Sequence, residues 1–327
     1  MPTIDLRYTV LNQPVPPFIY EALESYSTAS NHYFHQPDAL REAIAKHHDV
    51  PIDTVQLMAG TDQSILLLSA IYGQQTHIFT PTYISYVDAK RFGGELHEHW
   101  SLQDGLYQIP TETIPGASLI FLANPNNPAG MTSRRKVMEL VRNNPDTTVV
   151  VDEAYGDFAS ESVIAEVASN PNLVVARSFS KGFALAGFRI AYLVAQPTHF
   201  KKLALETMWF NTAYTSVGAA LTALQHQDHY IAVRAELVET RTALEKRLQT
   251  AGYSLIPSSI NAVLIDFGDE SDAQHFVEHL KADDICIQQG GGDSNVGLGQ
   301  QYVRMSIGTK TEMEHVWEAI QTFPLAK

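Results

Sequence analysis

The sequence predicts an α/β fold, a large domain with a mostly parallel central sheet flanked by helices, joined to a smaller α+β domain. Three observations lead there. Short apolar runs alternate with amphipathic stretches through the middle of the chain, the pattern of successive βαβ units. Beyond about Gln225 the texture changes to a long charged helix followed by separated strands and helices. The length of 327 residues, 45% hydrophobic and 18% charged, suffices for about two domains with full cores.

The elements follow in order. The first 20 residues, with Pro14, Pro16 and Pro17, read as an extended arm. A helical pattern starts near Tyr20 and breaks across Asn31–Pro37. Val55–Ala59, Ile78–Thr80, Leu119–Ala123, Val149–Val151 and Leu173–Ala176 are expected as buried strands, with helices over Ser64–Tyr72 and Arg134–Arg142. An apolar helix is expected to begin around Lys181. After it come a helix over Tyr230–Gly252, a strand at Ala262–Phe267, a helix at Asp272–Ala282 and a strand at Tyr302–Ile307. This places residues 31–225 in the large domain and residues 1–30 with 226–327 in the smaller one.

Composition narrows the function. A net charge of −14 repels nucleic-acid backbones and anionic membranes, so neither is an expected partner. Cys286 is the only cysteine, which excludes an internal disulfide and a multi-cysteine zinc site. No apolar run approaches the roughly 18 residues of a spanning helix, and MPTIDLRYTV has no signal-peptide character. A cytoplasmic protein is expected. His97 and His99 fall on one strand face without a third ligand, so no metal is expected. No G-x-S-x-G elbow gives a hydrolase a foothold.

In a parallel α/β sheet, ligands sit beyond the carboxyl ends of the strands, so the residues just after each apolar run carry the information. Leu119–Ala123 runs into NPNNPAG, with Asn124, Asn127 and Gly130. Val149–Val151 runs into Asp152, Glu153 and Tyr155. Leu173–Ala176 is followed by Ser178, Ser180 and Lys181, with Arg189 eight residues on. Val55–Ala59 ends at Gly60-Thr61-Asp62, where free backbone N–H groups and a helix dipole can cradle a phosphate; a plain N-cap by Thr61 or Asp62 is the alternative. Ser178, Ser180 and Arg189 can complete phosphate contacts. Lys181 in apolar surroundings becomes a nucleophilic amine. Asp152 at a buried strand end needs a cationic partner, and a protonated pyridine nitrogen is one. Asn127 and Tyr155 can bond the phenolic oxygen of such a ring.

NPNNPAG, VDEAYGDF, SFSKGFALAGFRIAY and YVRMSIGT, in this order, resemble the class I/II aminotransferases of the type I pyridoxal-phosphate fold, most closely the histidinol-phosphate aminotransferases. The resemblance covers nearly the whole chain. It implies pyridoxal 5'-phosphate as cofactor, with Lys181 as the lysine that carries it and then shuttles a proton. Asp152 is implied to keep the ring nitrogen protonated, and Asn127 with Tyr155 to bond the ring hydroxyl. Tyr83, in TPTYISY, is implied to stack on the ring, although without the family it also reads as a core aromatic. Gly60, Thr61, Asp62, Ser178, Ser180 and Arg189 are implied to surround the phosphate. Tyr33, in NHYFHQP, matches a tyrosine that reaches the neighbouring subunit's phosphate, which implies a homodimer. Arg304 is implied to pair with the substrate α-carboxylate, alongside Asn127. The implied reaction moves an amino group between an amino acid and a 2-oxo acid. A decarboxylase or lyase on the same fold, and a non-catalytic binding protein, are the alternatives. Gln288 stands about where the histidinol-phosphate enzymes usually carry arginine, and Asn31-His32 replaces asparagine-arginine. An amide cannot replace a guanidinium toward a phosphate, so an unphosphorylated donor stands beside histidinol phosphate as expected substrate.

Overall fold

A computed structural model describes residues 3–28, 31–32, 38–205, 211–292 and 295–324. Its centre is a seven-stranded sheet in the order Val55–Met58, Ala191–Ala195, Leu173–Ser178, Thr148–Asp152, Leu119–Ala123, Gln75–Thr80, Glu95–Trp100. Only Ala191–Ala195 runs against the rest; the five strands from Leu173–Ser178 to Glu95–Trp100 are parallel neighbours. Leu119–Ala123 and Thr148–Asp152 are buried along their whole length, as a sheet covered on both faces requires. One apolar core, with Leu122, Val151 and Phe179, lies on one face. Another, with Met58, Tyr86 and Phe121, lies on the other.

A second, antiparallel sheet orders Ser254–Ile256, Ala262–Asp266, Tyr302–Ser306 and Gln288–Gln289. Helices Gln227–Thr250, Glu270–Ala282 and Lys310–Gln321 accompany it. Asp269 caps the second of these helices, and Thr309 with Glu312 forms a capping box on the third, so both start where short polar side chains satisfy their free N–H groups. Ile4, Leu6 and Leu11 of the arm pack into this second core. Ile19, from helix Pro17–Ser27, packs instead into the first.

The arm is extended, as its prolines predict, but it is not loose. Ile4–Asp5 pairs in parallel with Ile285–Cys286. Leu6 accepts from Ser306 N at 3.0 Å, Tyr8 O from the Ser306 hydroxyl at 2.9 Å, and Val10 O from Asn261 Nδ2 at 3.0 Å. The helix after it begins at Pro17, ahead of the expected Tyr20, because proline is pre-set for the first helical position. The expected apolar helix at Lys181 is a single turn, Phe179–Gly182. Left-handed residues at Ala184 and Arg189 break it, and the apolar sequence that follows becomes the antiparallel strand Ala191–Ala195. Among the described residues no helix is long and apolar enough to cross a membrane.

Candidate active site

A cavity of about 370 Å³ opens beyond the carboxyl ends of the large sheet's parallel strands, closed on its far side by residues 8–10 of the arm and by Arg304. Its size falls in the range of cofactor and small-ligand sites. Each wall comes from one strand end. Val55–Met58 leads through Gly60 into helix Thr61–Tyr72, which presents Thr61 and Asp62 to the cavity. Gly60 holds φ +85, and a Cβ there would lie 2.5 Å from Arg189 Nη2; only glycine lets the guanidinium come so near the backbone. Arg189 donates to Asp62 Oδ2 at 2.8 Å, and Tyr83 donates to Asp62 Oδ1 at 2.7 Å. Asp62 thus spends its carboxylate orienting Arg189 and Tyr83, while its backbone sits in the helix's first turn.

Asp152 ends strand Thr148–Asp152, 5% exposed. Tyr86 Oη donates to its Oδ2 at 2.8 Å and Ala154 N to its Oδ1 at 2.9 Å. Burial pushes the carboxyl up to about 6, with those hydrogen bonds opposing the shift. Among the described residues it has no cationic partner. Its chain neighbour Glu153 is different. Glu153 and Asp157 flank Arg177, at 3.1 and 2.7 Å. Burial opposes the Arg177 charge, but Asp157, Tyr192 and Glu153 outweigh it and raise the guanidinium above its ordinary value.

Lys181 follows Ser178 and Ser180 on the single turn that continues strand Leu173–Ser178. The Ser178 hydroxyl caps it by accepting from Ser180 N at 3.0 Å. Gly182 leaves room for Asp157, whose Oδ2 would lie 2.3 Å from a Cβ there, and Arg234 donates to Gly182 O at 2.9 Å. Lys181 Nζ donates to Thr9 Oγ1 at 3.4 Å, and Thr9 Oγ1 shares a short hydrogen bond with the Tyr155 hydroxyl.

Arg304, 2% exposed, faces the cavity from strand Tyr302–Ser306. Its Nη1 donates to Asn127 Oδ1 and Asn295 Oδ1, each at 2.9 Å. Its Nη2 donates to Arg7 O at 2.6 Å and to the Gln288 amide oxygen. Nε is buried without a partner among the described residues. All four acceptors are neutral, and burial lowers the guanidinium below its ordinary value.

The structure therefore gathers Thr61, Asp62, Tyr83, Asn127, Asp152 and Tyr155 with Ser178, Ser180, Lys181, Arg189 and Arg304 around one cavity. Tyr33 lies outside the described residues. Sequence reasoning missed Thr9 and Tyr86. Tyr86 stands three residues after Tyr83, a helical spacing that could have flagged it; nothing in the arm's sequence marks Thr9. His97 and His99 gain a third member in His77, whose Nδ1 lies 2.8 Å from His99 Nε2 and whose ring stacks on both. Among the described residues no cluster is arranged to hold a metal.

The residues fit pyridoxal 5'-phosphate. Asp152 is a buried carboxylate in need of a cation, Gly60 and Arg189 form an anion cradle at a helix N-terminus, and Lys181 lines the same cavity. The comparisons agree. The family model of aminotransferase class I and II matches residues 7–320. A histidinol-phosphate aminotransferase of Geotalea uraniireducens is 31% identical over 294 residues, 87% of this chain and 83% of its own. One from Thermotoga maritima is 27% identical over 329 residues, 98% of this chain and 94% of its own. Among solved structures, histidinol-phosphate aminotransferase from Sinorhizobium meliloti in complex with pyridoxal-5'-phosphate superposes with a TM-score of 0.84 at 24% identity, over 98% of this chain and 91% of its own. L-threonine-O-3-phosphate decarboxylase from Porphyromonas gingivalis gives 0.82 at 25% identity, over 98% and 99%. With a match spanning nearly its whole length and a cavity that suits the cofactor, the chain belongs to the pyridoxal-phosphate-dependent class I and II aminotransferases.

Proposed function

We propose that this aminotransferase works through Lys181 and Asp152, with an L-amino acid and a 2-oxo acid as its substrates. The observation that carries the assignment is the buried Asp152 carboxylate, with no cationic partner among the described residues, lining the same cavity as the Lys181 amine. When bound, pyridoxal phosphate supplies the electron sink; the chain supplies the rest. Lys181 Nζ holds the cofactor, then takes the proton from the substrate α-carbon and returns it. Asp152 keeps a proton on the ring nitrogen. Tyr155 and the Asn127 amide nitrogen donate to the ring hydroxyl, since the Asn127 oxygen is spent on Arg304. Tyr83 covers one ring face. Gly60, Thr61 and Asp62 through their backbone, with Ser178, Ser180 and Arg189, hold the phosphate. Arg304 and Asn127 take the α-carboxylate, which supplies the opposite charge that Arg304 lacks.

The donor is an amino acid without a phosphate. The cations lining the cavity among the described residues are Lys181, Arg189 and Arg304, and each is assigned above. Gln288 offers an amide already bonded to Arg304. The enzyme is a homodimer in which Tyr33 of one subunit reaches the other's phosphate, supported by the NHYFHQP motif. Residues 31–225 form the cofactor domain, to which helix Pro17–Ser27 adds itself through Ile19, and the arm before that helix with residues 226–327 forms the smaller one.

The absorbance spectrum tests the reading. Purified protein with pyridoxal phosphate should show a visible band that converts to the pyridoxamine form with a subset of amino acids. Lys181→Ala should lose the band and at least about 10⁴-fold of turnover while melting at nearly the same temperature. Multiple turnovers in that variant remove Lys181 from the role. The likeness to a threonine-phosphate decarboxylase makes carbon dioxide release the product to assay beside the 2-oxo acid. Its appearance as the main product replaces amino transfer with decarboxylation.

A further inference from the structure

The amino-terminal arm brings a hydroxyl group between the Lys181 amine and the Tyr155 hydroxyl. Thr9 is 4% exposed and Tyr155 6%, and 172 residues of sequence separate Thr9 from Lys181. The Thr9 oxygen accepts from Lys181 Nζ at 3.4 Å and shares a hydrogen bond with the Tyr155 hydroxyl. It is not a chance contact of a loose segment. The residues on either side are tied by backbone: Tyr8 O accepts from Ser306 Oγ at 2.9 Å, Val10 O from Asn261 Nδ2 at 3.0 Å and Arg7 O from Arg304 Nη2 at 2.6 Å. The last of these tie-points is the guanidinium assigned to the substrate carboxylate, so the arm touches both ends of the reaction.

We propose that Thr9 is a positioning residue for the lysine: its oxygen holds the Lys181 amine, once substrate has released it, in the orientation from which it takes and returns the α-proton. This rests on the reading of Lys181 given above. A hydroxyl suits the task because it has one proton and two lone pairs. One lone pair accepts from a lysine N–H, in the amine as in the ammonium, and the Thr9–Tyr155 bond fixes the rotor; with Thr9 as its donor, the Tyr155 proton stays available for the ring hydroxyl. Thr9 gains and loses no proton over the cycle. A free lysine side chain has four rotatable bonds and many orientations, and a misplacement of about 1 Å at a reacting group can cost about 100-fold in rate.

Thr9→Val keeps the side-chain shape and removes the hydroxyl; Thr9→Ser keeps the hydroxyl. Three quantities are read on each: the melting temperature of the protein without cofactor, the pH midpoint of the visible band in the resting holoenzyme, and the rate and KM of the half-reaction with an accepted amino acid. In Thr9→Val the half-reaction should slow about 10- to 100-fold with KM changed less than about threefold, and the pH midpoint should move, because the Tyr155 hydroxyl loses its partner. Thr9→Ser should lie within about threefold of wild type in rate and restore the midpoint. A Thr9→Val enzyme with wild-type rate and midpoint overturns the proposal. So does a common loss in both variants that follows the melting temperature or KM, since that marks a structural role. A wild-type protein that forms no band with pyridoxal phosphate takes the Lys181 reading down first, and Thr9 with it.

Discussion

Two sets of buried charges lie side by side in this molecule, and they differ in one respect. Glu153 and Asp157 both pair with the Arg177 guanidinium, at 3.1 and 2.7 Å, with side chains 2%, 7% and 6% exposed. Ser162 Oγ at 2.6 Å and Val163 N at 2.8 Å complete the Glu153 shell. Asp152, the residue just before Glu153, and Arg304, which lines the same cavity, are buried as deeply yet among the described residues hydrogen-bond only to neutral partners. A closed set of charges contributes to holding the strand ends and the lysine turn in place. An open pair carries an unmet electrostatic demand that a ligand can satisfy, a cationic ring nitrogen on one side and a carboxylate on the other. Burial alone does not distinguish structure from function here; what separates them is whether each charge meets an opposite one among the described residues.

The contrast can be broken experimentally, beginning with its closed half. Arg177→Met leaves two carboxylates buried without a cation, and should cost about 3–5 kcal/mol in urea unfolding of the cofactor-free protein; a loss under about 1 kcal/mol would show that the cluster is not closed in the sense argued. Arg304→Met should cost the cofactor-free protein less than about 2 kcal/mol, because no carboxylate depends on it, while raising KM for the amino donor about 100-fold. Equal damage to stability and to KM would erase the distinction. The smallest effect belongs to Asp152→Asn. With the native carboxyl at about 6 and the unfolded one near about 4, the folded state binds the extra proton in that window. Wild-type stability without cofactor therefore falls as pH rises from about 4 to about 6 and stays low above it. The Asn variant should lack that decline, and should be more stable by about 1–3 kcal/mol at pH 8 while binding pyridoxal phosphate more weakly. An unchanged pH slope in the variant would place the charge elsewhere.

Asp152 is legible from its own place in the sequence, Arg304 only through the family resemblance, and the closed half is hidden. Asp152, Lys181 and Asn127 stand directly after apolar strands, and in a parallel sheet that position alone turns them toward the ligand side. Arg177 also ends a strand, but its meaning lies in Glu153 and Asp157, 24 and 20 residues away, a pairing that no local pattern encodes. The same holds for Thr9, an ordinary residue in a proline-rich arm until tertiary folding puts it beside Lys181. The turn at Lys181 misled for another reason. Its residues are apolar enough for a helix, yet the left-handed backbone at Ala184 and Arg189 is set by the need to return as strand Ala191–Ala195 and to bring Arg189 back to Gly60.

The ties between residues 4–10 and the strands at Ala262–Asp266, Ile285–Cys286 and Tyr302–Ser306 also fix a sequence of events in manufacture. Thr9 leaves the ribosome ahead of Asn261, Arg304 and Ser306, whose hydrogen bonds seat its neighbours. At about 5–20 residues per second, roughly 15–60 s of synthesis separate the arm from its last anchor. The other lining residues up to Arg189 are made before Asn261, Arg304 and Ser306, so the nascent chain passes through a stage in which most of the pocket's residues exist and the arm has nothing yet to seat it.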